Sequence, residues 1–236
     1  MNDIDILKLY FKNEELQKAI KEYESGVPAA YIIGEWEFFG DRYVLNKDCL
    51  IPRCDTERVV EKVLDKLSDT GRLLDLCTGS GCIAISVLKR KPNATGVAVD
   101  ISAKALEAAK ENANINGVNN RLDFLCADIF DKPLSNEKFD IIVSNPPYIP
   151  TKDLEGLDEY VKKEPMTALD GGNDGMVFYN FMVSNYKDNL TENGLFIFEI
   201  GYDQEEKIKE TAKTHGFDCT VTKDYSGNPR VAVLKK

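Results

Sequence analysis

Leu73-Leu74-Asp75-Leu76-Cys77-Thr78-Gly79-Ser80-Gly81-Cys82-Ile83-Ala84 is an apolar run that ends in a glycine-rich turn and passes straight into a second apolar stretch. A strand, a tight turn and a helix are what that order predicts. The glycines let backbone approach a ligand where a Cβ would collide, and the helix start offers free N–H groups. From Arg72 onward the same alternation repeats. Strands are expected at Arg72–Cys77, Thr95–Asp100, Arg121–Cys126, Phe139–Ser144 and Leu195–Ile200, with helices at Cys82–Arg90, Ala103–Ile115 and Met176–Asn189. Alternation of this kind means a parallel sheet covered on both faces. The tail departs from it: a helix Gln204–Thr214, a strand Phe217–Asp224, the turn Ser226-Gly227-Asn228 and a strand Val231–Leu234. Two strands joined by a tight turn are antiparallel. The reading is an α/β fold with a seven-stranded, mostly parallel sheet closed by a C-terminal antiparallel hairpin.

Upstream, residues 3–24 read as one or two short helices, ended by Ser25-Gly26-Val27-Pro28. Tyr31–Leu45, aromatic and β-branched around Gly40-Asp41, reads as a β-hairpin. Cys49–Arg53 then leads into a helix from Asp55 to Leu67, capped by Asp55 or Thr56, with Glu57 suited to the positive end of the dipole. The expected division is a 1–50 segment of helix and hairpin and a 51–236 catalytic domain. Ile149–Asp174 is long for a connection and has no periodicity. Its place after the fourth strand makes it a substrate-facing lid.

Composition narrows the classes. The chain has 236 residues, 43% hydrophobic and 30% charged. Its start is acidic, without the basic n-region of a secretory signal, and no apolar run spans a bilayer, so a cytoplasmic protein with no membrane partner is expected. One histidine and six cysteines without a C-x-x-C pair argue against a metal site, and the cysteines read as reduced core residues. Thirty basic against 40 acidic residues give a net charge of −10, which disfavours a phosphate backbone as partner.

At the carboxyl edge of such a sheet, Asp100 can accept from both hydroxyls of a ribose. Asp128 can accept from an exocyclic amine while Ile129 packs a purine face. Gly79-Ser80-Gly81-Cys82-Ile83-Ala84 also fits G-x-G-x-x-A with Asp100 downstream, as in a nicotinamide dinucleotide fold. The fourth strand separates the two. Phe139–Ser144 runs into Asn145-Pro146-Pro147-Tyr148 at the edge where ligands sit. A dehydrogenase has no use for that tetrapeptide, whereas methylation of an amino group does. An amide nitrogen is a poor nucleophile because its lone pair is delocalised. Acceptors gripping its N–H bonds, here the Asn145 side-chain oxygen and the Pro146 carbonyl, orient it and favour pyramidalisation. Two prolines set where that carbonyl points, and Tyr148 packs against the planar group. His215, before Gly216, reads as a helix C-terminal residue rather than a catalyst.

Over residues 28–236 the chain resembles the HemK/PrmC family of release-factor glutamine N5-methyltransferases. The segments that carry the likeness are Tyr31–Gly34, Ile51-Pro52-Arg53-Cys54-Asp55-Thr56-Glu57, Leu74–Gly81 and Asn145–Tyr148. Glu164-Pro165 with Ala168-Leu169, Gly171-Gly172 with Asp174-Gly175, and Lys223-Asp224-Tyr225 complete the set. The resemblance implies a Rossmann-like class I fold that takes S-adenosyl-L-methionine and leaves S-adenosyl-L-homocysteine. It places Cys77, Thr78, Gly79, Ser80 and Gly81 against the cofactor, with Asp100 on the ribose and Asp128 and Ile129 by the adenine. Asn145, Pro146, Pro147 and Tyr148 then bind a glutamine side chain, and Arg53 lies near it. The implied target is the Gly-Gly-Gln glutamine of peptide chain release factors, with no direct nucleic-acid partner and a monomer expected. Glutamine of a ribosomal protein and adenine N6 of nucleic acid are the alternative targets, and a non-catalytic cofactor-binding subunit is the alternative class. Cys77 stands where the family often has a glycine, a position expected to need only a small residue. Ile129 replaces an aromatic, and residues 1–27 stand where the family carries a longer helical domain.

Overall fold

A computed structural model describes residues 2–132, 134 and 136–236; Met1, the first residue of the expected 1–50 segment, lies outside them. Two helices open the chain, α1 (Asp3–Tyr10) and α2 (Asn13–Glu24), followed by a short α3 (Ala29–Ile33). The expected hairpin therefore starts later than Tyr31. Ala29-Ala30 are strong helix formers, and Gly34 ends the turn with a left-handed φ of +79° and its N–H on the Ala30 carbonyl. The hairpin itself is β1 (Glu35–Phe38) paired antiparallel with β2 (Asp41–Val44). Its Phe38 and Tyr43 are buried in the main core, and the Tyr43 hydroxyl lies 2.6 Å from the Ser86 hydroxyl.

A 3-10 turn over Cys54–Thr56 leads into α4 (Glu57–Lys66). The expected cap is not made, because neither Asp55 nor Thr56 gives the helix a side-chain capping bond. The Thr56 hydroxyl is engaged elsewhere, as described below. Beyond it come β3 (Arg72–Leu76), α5 (Cys82–Arg90), β4 (Thr95–Asp100), α6 (Ala103–Ile115), β5 (Leu122–Cys126) and β6 (Phe139–Ser144). They are followed by α7 (Val177–Asn185), β7 (Leu190–Glu199), α8 (Glu205–Thr214), β8 (Asp218–Lys223) and β9 (Pro229–Lys235). The seven strands from β3 to β9 form one sheet in the order β5-β4-β3-β6-β7-β9-β8, and only the β7–β9 and β9–β8 pairs are antiparallel.

Successive residues of a strand face opposite sides. Leu73, Ile141, Val143, Ile197 and Val233 accordingly belong to one core layer, under α4 and α5. Leu74, Leu76, Ile142, Phe196, Phe198 and Leu234 belong to the other, under α7 and α8. Each such fully buried side chain contributes about 1.5–3 kcal/mol. Strand β7 begins at Leu190, five residues before the expected Leu195. Gly194 lets it pass close to the Phe139 carbonyl, 3.0 Å from where a Cβ would sit, beside a register shift against β6. The expected helix to Asn189 stops at Asn185, and Lys187–Asn189 forms a separate 3-10 turn. Cys49 and Cys82 are core residues, whereas Cys54 and Cys126 are exposed and do not fit that expectation.

Strands β3, β4 and β5 run to one side and β6 to the other. The chain thus reverses its strand order between β3 and β6, which opens a crevice at their carboxyl ends. Cys77, Asp100, Asp128, Ile129 and Asn145 come together at that edge.

Candidate active site

Buried Asp75 shapes the turn after β3. Its Oδ2 accepts from the Thr78 hydroxyl at 2.7 Å and from the Ala84 N–H at 3.2 Å, tying turn to helix. Its Oδ1 is buried with no partner among the described residues, and burial pushes the carboxyl up to about 7. Cys77 adopts a left-handed φ of +60°. The position therefore asks for more than a small residue: a Cβ is strained there and glycine is not. Asp100 closes the turn from β4, Oδ2 accepting from the Gly79 N–H at 2.8 Å and Oδ1 from the Ser102 N–H at 2.9 Å. Burial raises its pKa against those two backbone bonds.

These loops surround a cavity of about 380 Å³. Cys77, Thr78, Gly79 and Ser80 line it from the first turn, and Asp100, Asp128 and Ile129 from the next two strand ends. Asp128 also accepts from the Phe130 N–H at 2.9 Å, which sets the chain direction under Ile129. Asn145 and Pro147 line the opposite wall. Gly81, Pro146, Tyr148 and Arg53 do not line it. Gly81 instead packs where a Cβ would fall 2.7 Å from Ile85.

Asn145 is the site's most informative side chain. Its Nδ2 donates to the Thr56 hydroxyl at 3.2 Å, while its Oδ1 is buried with no partner among the described residues. Thr56 in turn donates to Glu199 Oε2 at 2.6 Å. Tyr148 packs against the second core layer, and its carbonyl accepts from Gln204 Nε2 at 2.9 Å. Gln204 also receives the Gly201 N–H at 2.8 Å, so it clamps the end of the Asn-Pro-Pro-Tyr turn to the start of α8.

The Ile149–Asp174 connection is built of three 3-10 turns over Thr151–Gly156, Val161–Lys163 and Met166–Ala168. The Gly171 N–H donates to the Ile149 carbonyl and the Ile149 N–H to the Leu169 carbonyl, and Gly171 lies where a Cβ would be 2.7 Å from Tyr148 Cα. Met166, Thr167, Ala168 and Asp170 line the cavity. Buried Glu164 accepts from the Ile51 N–H at 3.0 Å and pairs with the Arg53 guanidinium. Arg53 thus fastens this connection to the segment before α4. The sequence reading missed Thr56, Phe130 and Phe178, which line the cavity, and Glu199 and Gln204, which hold Thr56 and Tyr148 in place. Only the Ile51–Glu57 and Gly201–Gln204 stretches, polar residues beside apolar runs, offered a signal. His215 caps the end of α8 with Nδ1 on the Thr211 carbonyl, as expected.

This sheet order, glycine turn and set of strand-end acids around one cavity define a class I S-adenosylmethionine-dependent methyltransferase. The family described as Methyltransferase small domain matches residues 55–193. The release factor glutamine methyltransferase of Aquifex aeolicus is 38% identical over 98% of this chain and 81% of its own length. That of Thermodesulfovibrio yellowstonii is 38% identical over 99% of this chain and 88% of its own. The chain belongs to the release factor glutamine methyltransferase family. Among solved structures, the ribosomal protein L11 methylase of Lactobacillus delbrueckii shares the fold, with a TM-score of 0.59 and 21% identity over 85% of this chain and 90% of that one. The dinucleotide reading of Gly79–Ala84 falls with that membership.

Proposed function

We propose that this chain transfers the methyl group of S-adenosylmethionine to the side-chain amide nitrogen of the Gly-Gly-Gln glutamine in a peptide chain release factor. The observation that carries the reading is Asn145 Oδ1, a buried acceptor with no partner among the described residues at the wall of the cavity. A buried acceptor left unmet is costly, and a ligand N–H is the group that meets it.

The cavity fits the cofactor. Its volume lies in the range of small-molecule sites. Asp100 faces it with lone pairs beyond those taken by the Gly79 and Ser102 amides, suited to ribose hydroxyls. Asp128 and Ile129 offer an acceptor and an apolar face for adenine. When bound, S-adenosylmethionine supplies an electrophilic methyl group. The protein's part is positional: Asn145 Oδ1 at the cavity wall and the carbonyl of Pro146, next in the turn though not part of the lining, accept the two amide N–H bonds and turn the nitrogen lone pair toward that methyl. One of the two protons is given up to solvent as the N–C bond forms. Holding reactants in such a geometry is worth up to roughly 7–11 kcal/mol. Pro147 forms the wall beneath, and Tyr148, held through its carbonyl by Gln204, fixes the turn. The lid residues Met166–Ala168 shield the reaction from water. The net charge of −10 supports a protein target over nucleic acid, and that target places the reaction in the cytoplasm. No described helix is long and apolar enough to cross a membrane.

The test is transfer from labelled S-adenosylmethionine to a purified bacterial release factor, read by mass spectrometry of the Gly-Gly-Gln peptide. Label that disappears with a Gln→Ala release factor is the expected result. Cofactor binding without label on that peptide, or label on DNA, RNA or a ribosomal protein instead, refutes the reading.

A further inference from the structure

A carboxamide has two ends of nearly the same shape and opposite hydrogen-bonding character. What turns the acceptor end of Asn145 toward the cavity has to be built into its surroundings. Thr56 and Glu199 supply it. Glu199 ends β7, is 1% exposed, and as a carboxylate only accepts. Its Oε2 takes the Thr56 hydroxyl proton at 2.6 Å. A threonine hydroxyl has one proton. With it committed to Glu199, the Thr56 oxygen can only accept from Asn145, and Nδ2 donates to it at 3.2 Å. A flipped Asn145 would set Oδ1 against an oxygen with no proton to give, two acceptors face to face.

We infer that Thr56 and Glu199 are positioning residues that hold the Asn145 carboxamide with Oδ1 toward the substrate nitrogen. The inference rests on the glutamine-amide reading of the cavity. It also gives the Ile51–Glu57 stretch a purpose. Glu57 Oε1 accepts from the Phe39 N–H at 2.8 Å and Arg53 binds Glu164, so the hairpin and the lid both brace the turn that delivers Thr56.

The charge state of Glu199 belongs to the same arrangement. Burial pushes its carboxyl up to about 7. The groups facing it are Arg230 on β9, Arg53 and Asp55 before α4, Tyr148 after β6, Tyr179 on α7 and Cys82 on α5. Arg230 favours the charged form and is itself held by Asp224 at 3.2 Å. A protonated Glu199 would donate to Thr56, releasing the hydroxyl proton toward Asn145 and favouring the wrong amide face.

The experiment uses the full chain, S-adenosylmethionine and a release factor, with Thr56→Val, Thr56→Ser and Glu199→Gln. The valine variant should lose about tenfold or more in kcat, a positioning effect smaller than loss of a direct contact. Its release-factor KM and cofactor Kd should stay within about threefold of wild type. The serine variant should recover most of kcat. In wild type kcat should fall as pH drops through the Glu199 titration, and in Glu199→Gln that inflection should be gone. A folded valine variant with wild-type kcat overturns the inference. So does a serine variant as slow as valine, or cofactor affinity falling in step with kcat. If Thr56→Val fails to fold, the pH profiles decide, and matching profiles in wild type and Glu199→Gln overturn it. Absence of label with wild type would instead overturn the proposed function itself.

Discussion

Asn145→Ala separates the catalytic from the structural use of one side chain. Two terms act on stability and oppose each other. The substitution removes the 3.2 Å bond to Thr56, a neutral hydrogen bond worth about 1 kcal/mol. It also removes Oδ1, a buried acceptor without a partner, whose desolvation costs about 1–3 kcal/mol in the cofactor-free chain. The net change should lie between about zero and 2 kcal/mol in favour of the variant, a rise in Tm of no more than about 4–8 °C for a chain of this length. Catalysis has no such offset. Losing one fixed partner of the reacting group in a water-poor site costs about 2.7–4 kcal/mol, or roughly a hundredfold to thousandfold in kcat. Cofactor affinity should change little, because the strand-end acids remain. Single-turnover methyl transfer at saturating S-adenosylmethionine, with calorimetry and a thermal melt on the same preparation, measures all three. A variant that melts normally and keeps kcat within threefold of wild type would refute the assignment of Asn145 Oδ1 as the acceptor for the substrate amide.

Asp100→Ala should weaken S-adenosylmethionine binding by about tenfold to a hundredfold, since hydrogen bonds to a charged acceptor are worth about 1.5–3 kcal/mol. Unchanged affinity in calorimetry would remove Asp100 from the ribose site. Gly171→Ala places a Cβ 2.7 Å from Tyr148 Cα and 2.8 Å from the Pro147 carbonyl, backbone atoms that cannot rotate aside. It should cost about 1–3 kcal/mol in a thermal melt and lower kcat with it; wild-type stability would show that the lid does not press on that turn as described. Stability should also fall between mildly acidic and neutral pH. Asp75 and Glu199 are raised from 3.8 and 4.5 to about 7 by burial, so the folded chain binds protons there that the unfolded chain has released. The contribution is complete below the unfolded values and lost as pH rises through 7. Asp41 and Asp224, which are lowered, act below that window. Urea midpoints should be higher at pH 5.5 than at pH 8, and the reverse order would contradict the burial of these carboxyls as charged groups.

The bounds of β4, β6, α5 and α6 were legible in the sequence to the residue, because buried strands and helices write their period into adjacent positions. The glycine turn and the strand-end acids were legible for a related reason: their place follows from residue type and position on a strand edge, and the same reading led to the acceptor role proposed for Asn145. Short elements carried less. At α3 two alanines and a glycine cap outweighed the aromatic pattern of a strand, and in the Ile149–Asp174 lid three 3-10 turns are each too brief to show a period. The supports of the site were decided by tertiary structure alone. Thr56 meets Glu199 across 143 residues and Asn145 across 89, Arg53 meets Glu164 across 111, and Gln204 meets Tyr148 across 56. A hydroxyl beside a helix start is a good cap by every local rule. Thr56 is drawn away because Glu199, buried at the end of β7, needs a donor, and only the folded sheet brings the two within 2.6 Å.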